Sequence, residues 1–337
     1  LALKDMDSAI ERNPNFSFAY FKRGVAYQAL GEYETALDSL NRCLELNPAY
    51  KKAYLHRANI LFNQKKYEDC LVDFTRYIQY EPKDDKAYIS RGIALGNMSK
   101  LRQALFDFSK AVEINPDSIL AHNYRGLVYS KLKMYAKAVE DFSVVIQLDP
   151  KITEAYNNRA VAYLSLKEYE KAIQDYDTAI ELQPEKAKLY YNRGNAYQHI
   201  KKYPEAIFDY DSALKIDPEM VEAYVGRGNA KAALKQYRDA VIDFSKAIAL
   251  DPKHYQAYVG RGNVFMSMTH YGKAAEDFTL ATEIKPDYPL AYLNRALCFK
   301  NQQQAYSAAK DFNEFLRLYN RDDKFAEKVR NWIKRLG

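Results

Sequence analysis

Five histidines and three cysteines are the side chains from which this 337-residue chain could build a metal centre or a nucleophile. They are His56, His122, His199, His254 and His270, and Cys43, Cys70 and Cys298. No two histidines stand at the i, i+4 spacing by which one helix face presents two ligands. The nearest approach to a phosphate loop is Gly226-Arg227-Gly228-Asn229 and its echo Gly260-Arg261-Gly262-Asn263. Both lie in helical apolar patterns, where a GxG is weak evidence for phosphate. The expectation is therefore no catalytic residue, no metal ligand, no cofactor and no enzyme.

Composition narrows the class further. Lys plus Arg number 50 against 44 Asp plus Glu, a net charge of +6. That is mild for the length and does not call for nucleic acid or an acidic membrane. Mean hydropathy is −0.51, and no apolar run approaches the ~20 residues that span a bilayer. The opening LALKDMDSAI lacks the basic start and apolar core of a signal peptide. Three cysteines cannot frame a small disulfide fold, so a reducing, cytoplasmic setting is expected. One globular core rarely serves beyond ~250–300 residues. Tyr is abundant at 30 and Gly scarce at 12, which suggests that a few positions recur many times.

They recur every 34 residues: Pro14, Pro48, Pro82, Pro116, Pro150, Pro184, Pro218, Pro252 and Pro286. With this proline as position 32, nine full repeats fill residues 17–322. Each repeat holds two bursts of helical apolar spacing. In the fifth these are Ala155, Tyr156, Ala160, Tyr163 and then Tyr169, Ala172, Ile173, Tyr176, Ala179, Ile180, Leu182, parted by Leu166-Lys167-Glu168. Proline then stops the second helix. The unit is a helix hairpin.

Three columns carry a family likeness. Position 8 is Gly or Ala throughout, from Gly24 to Ala296. Position 20 is Ala in every repeat but the second, where it is Cys70. Position 24 is large: Leu40, Phe74, Phe108, Phe142, Tyr176, Tyr210, Phe244, Phe278 and Phe312. In these columns the chain resembles the tetratricopeptide repeat family over essentially its whole length. The resemblance implies an all-α, right-handed superhelical solenoid of stacked helix-turn-helix hairpins, with first helices lining a concave surface. Residues 1–16 match the second helix of a leading repeat, with Ala2 in the position 20 column, and imply further repeats upstream. Residues 323–337 read as a capping helix with Phe325, Val329, Trp332, Ile333 and Leu336 on one stripe.

Position 7, usually aliphatic in that family, is Arg in every repeat: Arg23, Arg57, Arg91, Arg125, Arg159, Arg193, Arg227, Arg261 and Arg295. Position 23 is Asp73, Asp107, Asp141, Asp175, Asp209, Asp243, Asp277 and Asp311, with Ser39 as exception and Asp5 in the leading half-repeat. Two matched columns suggest a structural ion-pair ladder rather than a basic stripe for acidic ligands. The expected pairing runs across each repeat junction, Asp5 to Arg23, Asp73 to Arg91 and onward, ending with Asp311 to Arg330. Arg suits this, because its planar fork meets a carboxylate with two hydrogen bonds.

Function in such a solenoid is expected on the concave columns, which vary between repeats. The dicarboxylate clamp for chaperone tails needs Lys at position 5, and none is present there. Asn157, Asn158, Tyr191, Asn192, Asn195, Gln198, Val225, Asn229, Val259 and Asn263 instead make a strip of amides around an apolar or bare centre. An amide donates and accepts at once, which suits an extended peptide backbone. The expected function is a scaffold that binds a protein or peptide segment, without nucleic acid or membrane. The alternatives are a regulatory or substrate-recruiting arm of a larger multidomain protein, and a structural element of a cytoskeletal or ciliary assembly.

Overall fold

The computed structural model describes residues 2–336, with the side chain of Ala2 outside that description. The position 20 expectation for Ala2 therefore lies outside the described residues. The chain divides into two compact units, Leu1–Leu166 and Lys167–Gly337. The division falls in the turn of the fifth repeat.

The first unit contains α1 (Ala2–Arg12), α2 (Ser17–Leu30), α3 (Tyr33–Leu46), α4 (Lys51–Asn63), α5 (Tyr67–Tyr80), α6 (Asp85–Asn97), α7 (Leu101–Ile114), α8 (Ile119–Lys131), α9 (Tyr135–Leu148) and α10 (Thr153–Ser165). The second contains α11 (Tyr169–Leu182), α12 (Ala187–His199), α13 (Tyr203–Ile216), α14 (Val221–Ala233), α15 (Tyr237–Leu250), α16 (Tyr255–Ser267), α17 (Tyr271–Ile284), α18 (Pro289–Asn301), α19 (Ala305–Tyr319) and α20 (Lys324–Lys334). Within each unit, hairpins such as α4–α5 and α14–α15 stack in chain order. No described helix is long and apolar enough to cross a membrane.

The recurrent columns build each hairpin seam. Phe108, at 1% exposure, lies against Gly92, where an added Cβ would stand 2.7 Å from its ring. Gly126 meets Phe142 and Gly262 meets Phe278 in the same way. Large residues at position 24 thus require small ones at position 8. After α1, α3, α7, α9, α13 and α15 the chain turns through an Asx bend: the Ala49 N–H donates to Asn47 Oδ1 at 3.1 Å, and the Lys151 N–H to Asp149 Oδ1 at 3.0 Å.

The turn inside each hairpin needs a left-handed residue at position 15. Repeat one supplies Gly31, at φ 80°. The others use Lys65, Ser99, Lys133, Lys167, Lys201, Lys235, Thr269 and Gln303, all near φ 60°. At the far end, α20 buries Ala326 and Val329, and Trp332 tilts against Phe312 with centroids 5.6 Å apart.

Candidate functional site

The arginine column comes first, because it fixes the hairpins that carry every other candidate. Among the bonds of the described residues, the arginines pair with the position 23 aspartates of their own repeats and not across the junctions as predicted. Arg57 Nε and Nη2 donate to Asp73 Oδ2 and Oδ1, each at 2.7 Å, within a single repeat. The same two-pronged geometry joins Arg91 to Asp107, Arg125 to Asp141, Arg193 to Asp209, Arg227 to Asp243, Arg261 to Asp277 and Arg295 to Asp311. Arg330 pairs with Asp322, not Asp311. Asp5 is exposed and joins no ion pair among the described residues; Arg23 instead reaches Ser39 at 3.1 Å and Asp7 at 3.2 Å. Asp175 is buried in its column at 5% exposure.

The physical reason is where position 7 points. It lies over the seam between the two helices of its own hairpin, so its fork meets the carboxylate beside the position 24 ring. The third nitrogen looks the other way. Nη1 donates to position 25 of the preceding repeat: to Asn41 from Arg57 at 2.7 Å, Thr75 from Arg91 at 3.0 Å, Ser143 from Arg159 at 3.0 Å, and Asp177 from Arg193 at 2.6 Å. Arg227 does the same to Asp211, Arg261 to Ser245 at 2.9 Å, and Arg295 to Thr279 at 3.1 Å. One guanidinium therefore closes its own hairpin and also ties it to its neighbour.

Tyrosines bracket these cations. Arg193 lies 5.8 Å from the Tyr190 ring centre and 6.0 Å from that of Tyr197; Arg159 is 5.9 Å from both Tyr156 and Tyr163. In the fourth repeat His122 replaces the first tyrosine. Its Nδ1 stands 2.8 Å from Asp141 Oδ1 and its Nε2 2.9 Å from the Pro116 carbonyl oxygen. Burial pushes the Asp209 and Asp277 carboxyls up, against the opposing pull of Arg193 and Arg261.

The amide strip divides between the units. Asn157 and Asn158 stand on α10, half-buried, with Asn157 Nδ2 3.4 Å from Asn158 Oδ1. Tyr191, Asn192, Asn195 and Gln198 stand on α12, Val225 and Asn229 on α14, and Val259 and Asn263 on α16. These first helices touch in the order α12, α14, α16, α18. Asn229 and Asn263 are exposed, and the others are half-buried. Asn294 on α18 donates to Asn263 Oδ1 at 2.8 Å. Val225 packs on the Phe244 cluster and Val259 on the Phe278 cluster, so both are wall residues rather than free ligands.

Tyr210 has a role that its column alone did not predict. Its ring fills the seam, but its hydroxyl lies 2.7 Å from Asn195 Oδ1 and 2.9 Å from Gln198 Oε1. One hydroxyl proton serves one oxygen, so the other amide must turn its NH2 toward the phenol. The available signal was Tyr at position 24 in a repeat with amides at positions 9 and 12. The centre of the strip is bare for a steric reason. A Cβ on Gly226 would stand 2.7 Å from Tyr210, and one on Gly260 2.4 Å from Phe244. Among the described residues, no three His, Cys, Asp or Glu side chains gather as a metal site. Burial pushes the thiols up, Cys43 to about 11 and Cys70 and Cys298 to about 12.

Models of the tetratricopeptide repeat match residues 17–50, 85–118, 119–152, 153–186, 187–220, 221–254 and 255–288. No curated protein matches. Among solved structures, the Cut9–Hcn1 hetero-tetramer of the APC/C is 14% identical with a TM-score of 0.57, over 99% of this chain and 81% of that one. Yeast Tom70 is 16% identical with a TM-score of 0.54, over 99% of this chain and 91% of that one. A tetratricopeptide repeat protein from Parabacteroides merdae is 21% identical with a TM-score of 0.54, over 74% of this chain and 98% of that one. At these identities the likeness is one of fold. The repeat models cover well over half of the sequence, and the chain belongs to the tetratricopeptide repeat family.

Proposed function

We propose that this protein is an interaction scaffold whose second unit holds an extended polypeptide segment along the exposed face of α12, α14 and α16. The observation that carries the reading is the run of Asn195, Asn229 and Asn263 at one repeat position on three successive first helices. A peptide backbone offers alternating N–H and C=O groups, and a side-chain amide can meet either. The Tyr210 hydroxyl orients Asn195 and Gln198, which lowers the entropy lost on binding. Asn229 projects into solvent three residues on from Gly226, whose buried backbone packs on the Tyr210 ring and so brings α14 close to the residues that orient the strip.

The experiment is site-specific photocrosslinking in cells, with a benzophenone amino acid at Asn229 or, on the outer face, at Ile242. The expected result is a discrete crosslinked protein from position 229 only. That crosslink should disappear with Asn195→Ala/Asn263→Ala, while the melt falls no further than it does for Tyr210→Phe, which removes the same hydroxyl contact and leaves both amides in place. Equal capture at both positions, or capture indifferent to the amides, would refute the groove.

A further inference from the structure

The first unit carries a charge pattern unrelated to the amide face. Residues 86–106 contain no Asp or Glu, and neither do residues 118–139. Each stretch runs through the inner turn of a hairpin, α6–α7 and α8–α9, and α6 touches α8. Adjacent packed helices stand about 8–10 Å apart, so the two turns form one edge. That edge exposes Lys100, Arg102, Lys131, Lys133 and Lys137.

None of these five joins a salt bridge among the described residues. Lys137 is held with its Nζ 5.6 Å from the Tyr129 ring centre. The two preceding turns of the same unit differ. The α2–α3 turn carries Glu32 and Glu34 and no cation, and the α4–α5 turn balances Lys65 and Lys66 with Glu68 and Asp69. Charge therefore changes sign along this edge and ends in a purely cationic patch. Two helix N-termini reinforce it, since α7 and α9 have no acidic residue in their first turns and no side-chain cap.

We infer that the edge formed by the α6–α7 and α8–α9 turns is a docking surface for an acidic polypeptide segment rich in Asp or Glu. Five flexible cations over two turns match carboxylates spaced along a chain. A nucleic acid would need stacking platforms, and the nearby Tyr129 ring is covered by Lys137. A lipid surface would need an apolar wedge at the tips of the turns, and there Met134 is exposed only to 37%; Phe106, at 58%, stands further along α7, one helical turn after Arg102.

The test is fluorescence anisotropy of the whole chain with a labelled dodecapeptide alternating Glu and Gly, beside its Lys–Gly counterpart. Saturable binding of the acidic peptide alone is expected, weakened about tenfold or more between low and high salt. Lys100→Glu/Lys133→Glu/Lys137→Glu should abolish it with the circular dichroism unchanged, since all three side chains are exposed. Lys253→Glu in the second unit and Asn229→Ala should leave it intact, which separates this edge from the amide face. Absence of peptide binding overturns the proposal, as does binding that survives the triple reversal. Selective capture of a single-stranded oligonucleotide or anionic vesicles by the same lysines would also overturn it.

Discussion

Gly260→Ala should destabilise the second unit, although alanine is the better helix former. The substitution gains about 1 kcal/mol in helix propensity. Its Cβ would stand 2.4 Å from Phe244 Cε1, 2.5 Å from Cζ and 3.0 Å from Cδ1, where ordinary contact begins at 3.4 Å. Relief requires a shift of about 1 Å, and Phe244 is fully buried between α14, α15 and α16 with no space to yield. Overpacking of this kind costs about 1–3 kcal/mol, and this clash lies toward the upper end. The net expectation is a loss of about 1–2 kcal/mol. Gly96→Ala is the matched control, because an added Cβ there meets nothing within 4 Å; it should stabilise by about 0.5–1 kcal/mol. Urea unfolding followed by circular dichroism gives the global shift, and hydrogen exchange of the α16 amides gives the local one. A smaller side chain without the ring should relieve the clash, so Gly260→Ala combined with Phe244→Leu should lose less than the sum of the single changes. If Gly260→Ala matches Gly96→Ala in sign, the close approach of α16 to the Phe244 ring of α15 is not what excludes a side chain.

Tyr210→Phe should lose about 1 kcal/mol with its two amide contacts, whereas Tyr176→Phe should be neutral or stabilising, because the buried Tyr176 hydroxyl has no hydrogen-bond partner; paired denaturant titrations compare them. Asp209→Asn leaves Arg193 with only the half-exposed Asp177 as a charged partner and should cost about 3 kcal/mol. Asp177→Asn removes a partner that is 45% exposed and should cost at most about 1 kcal/mol, measured the same way. The three buried thiols should react with Ellman's reagent only on unfolding. Their raised native pKa values mean that the folded chain keeps protons that the unfolded chain releases, so stability should fall as pH rises from about 9 toward 12 in an alkaline melt series. Lys133→Gly should raise the melting midpoint, since glycine holds φ 60° without the roughly 1 kcal/mol that a side chain pays there.

The 34-residue proline column and the two helical bursts make the hairpins legible in the amino-acid sequence, because periodicity and helix termination are local properties. The same is not true of the arginine partners. A column shows that every repeat needs an aspartate, but not which one an arginine meets: Asp73 lies 16 residues after Arg57 and 18 before Arg91. Only the direction of the side chain from the helix decides, and it points into the hairpin. Tyr210 was hidden for a related reason, since a seam residue and a polar contact can be two ends of one side chain. Lys133 was hidden because its left-handed backbone leaves no mark in composition. The division after Leu166 has no sequence signal, for the fifth repeat keeps every consensus column.

The two-way reach of Arg57, Arg91, Arg193, Arg227, Arg261 and Arg295 has a consequence for the order of synthesis. The fork that closes a hairpin uses an aspartate 16 residues downstream, so a new repeat can satisfy its own ion pair soon after both helices have emerged. The remaining nitrogen points back toward a residue 16 positions upstream, in a repeat already made. Each of these hairpins thus emerges with its anchor in place and its docking partner waiting, and growth from the N-terminus adds one coupling at a time. A ladder running the opposite way would leave every nascent hairpin with an unpaired buried carboxylate until the next one appeared.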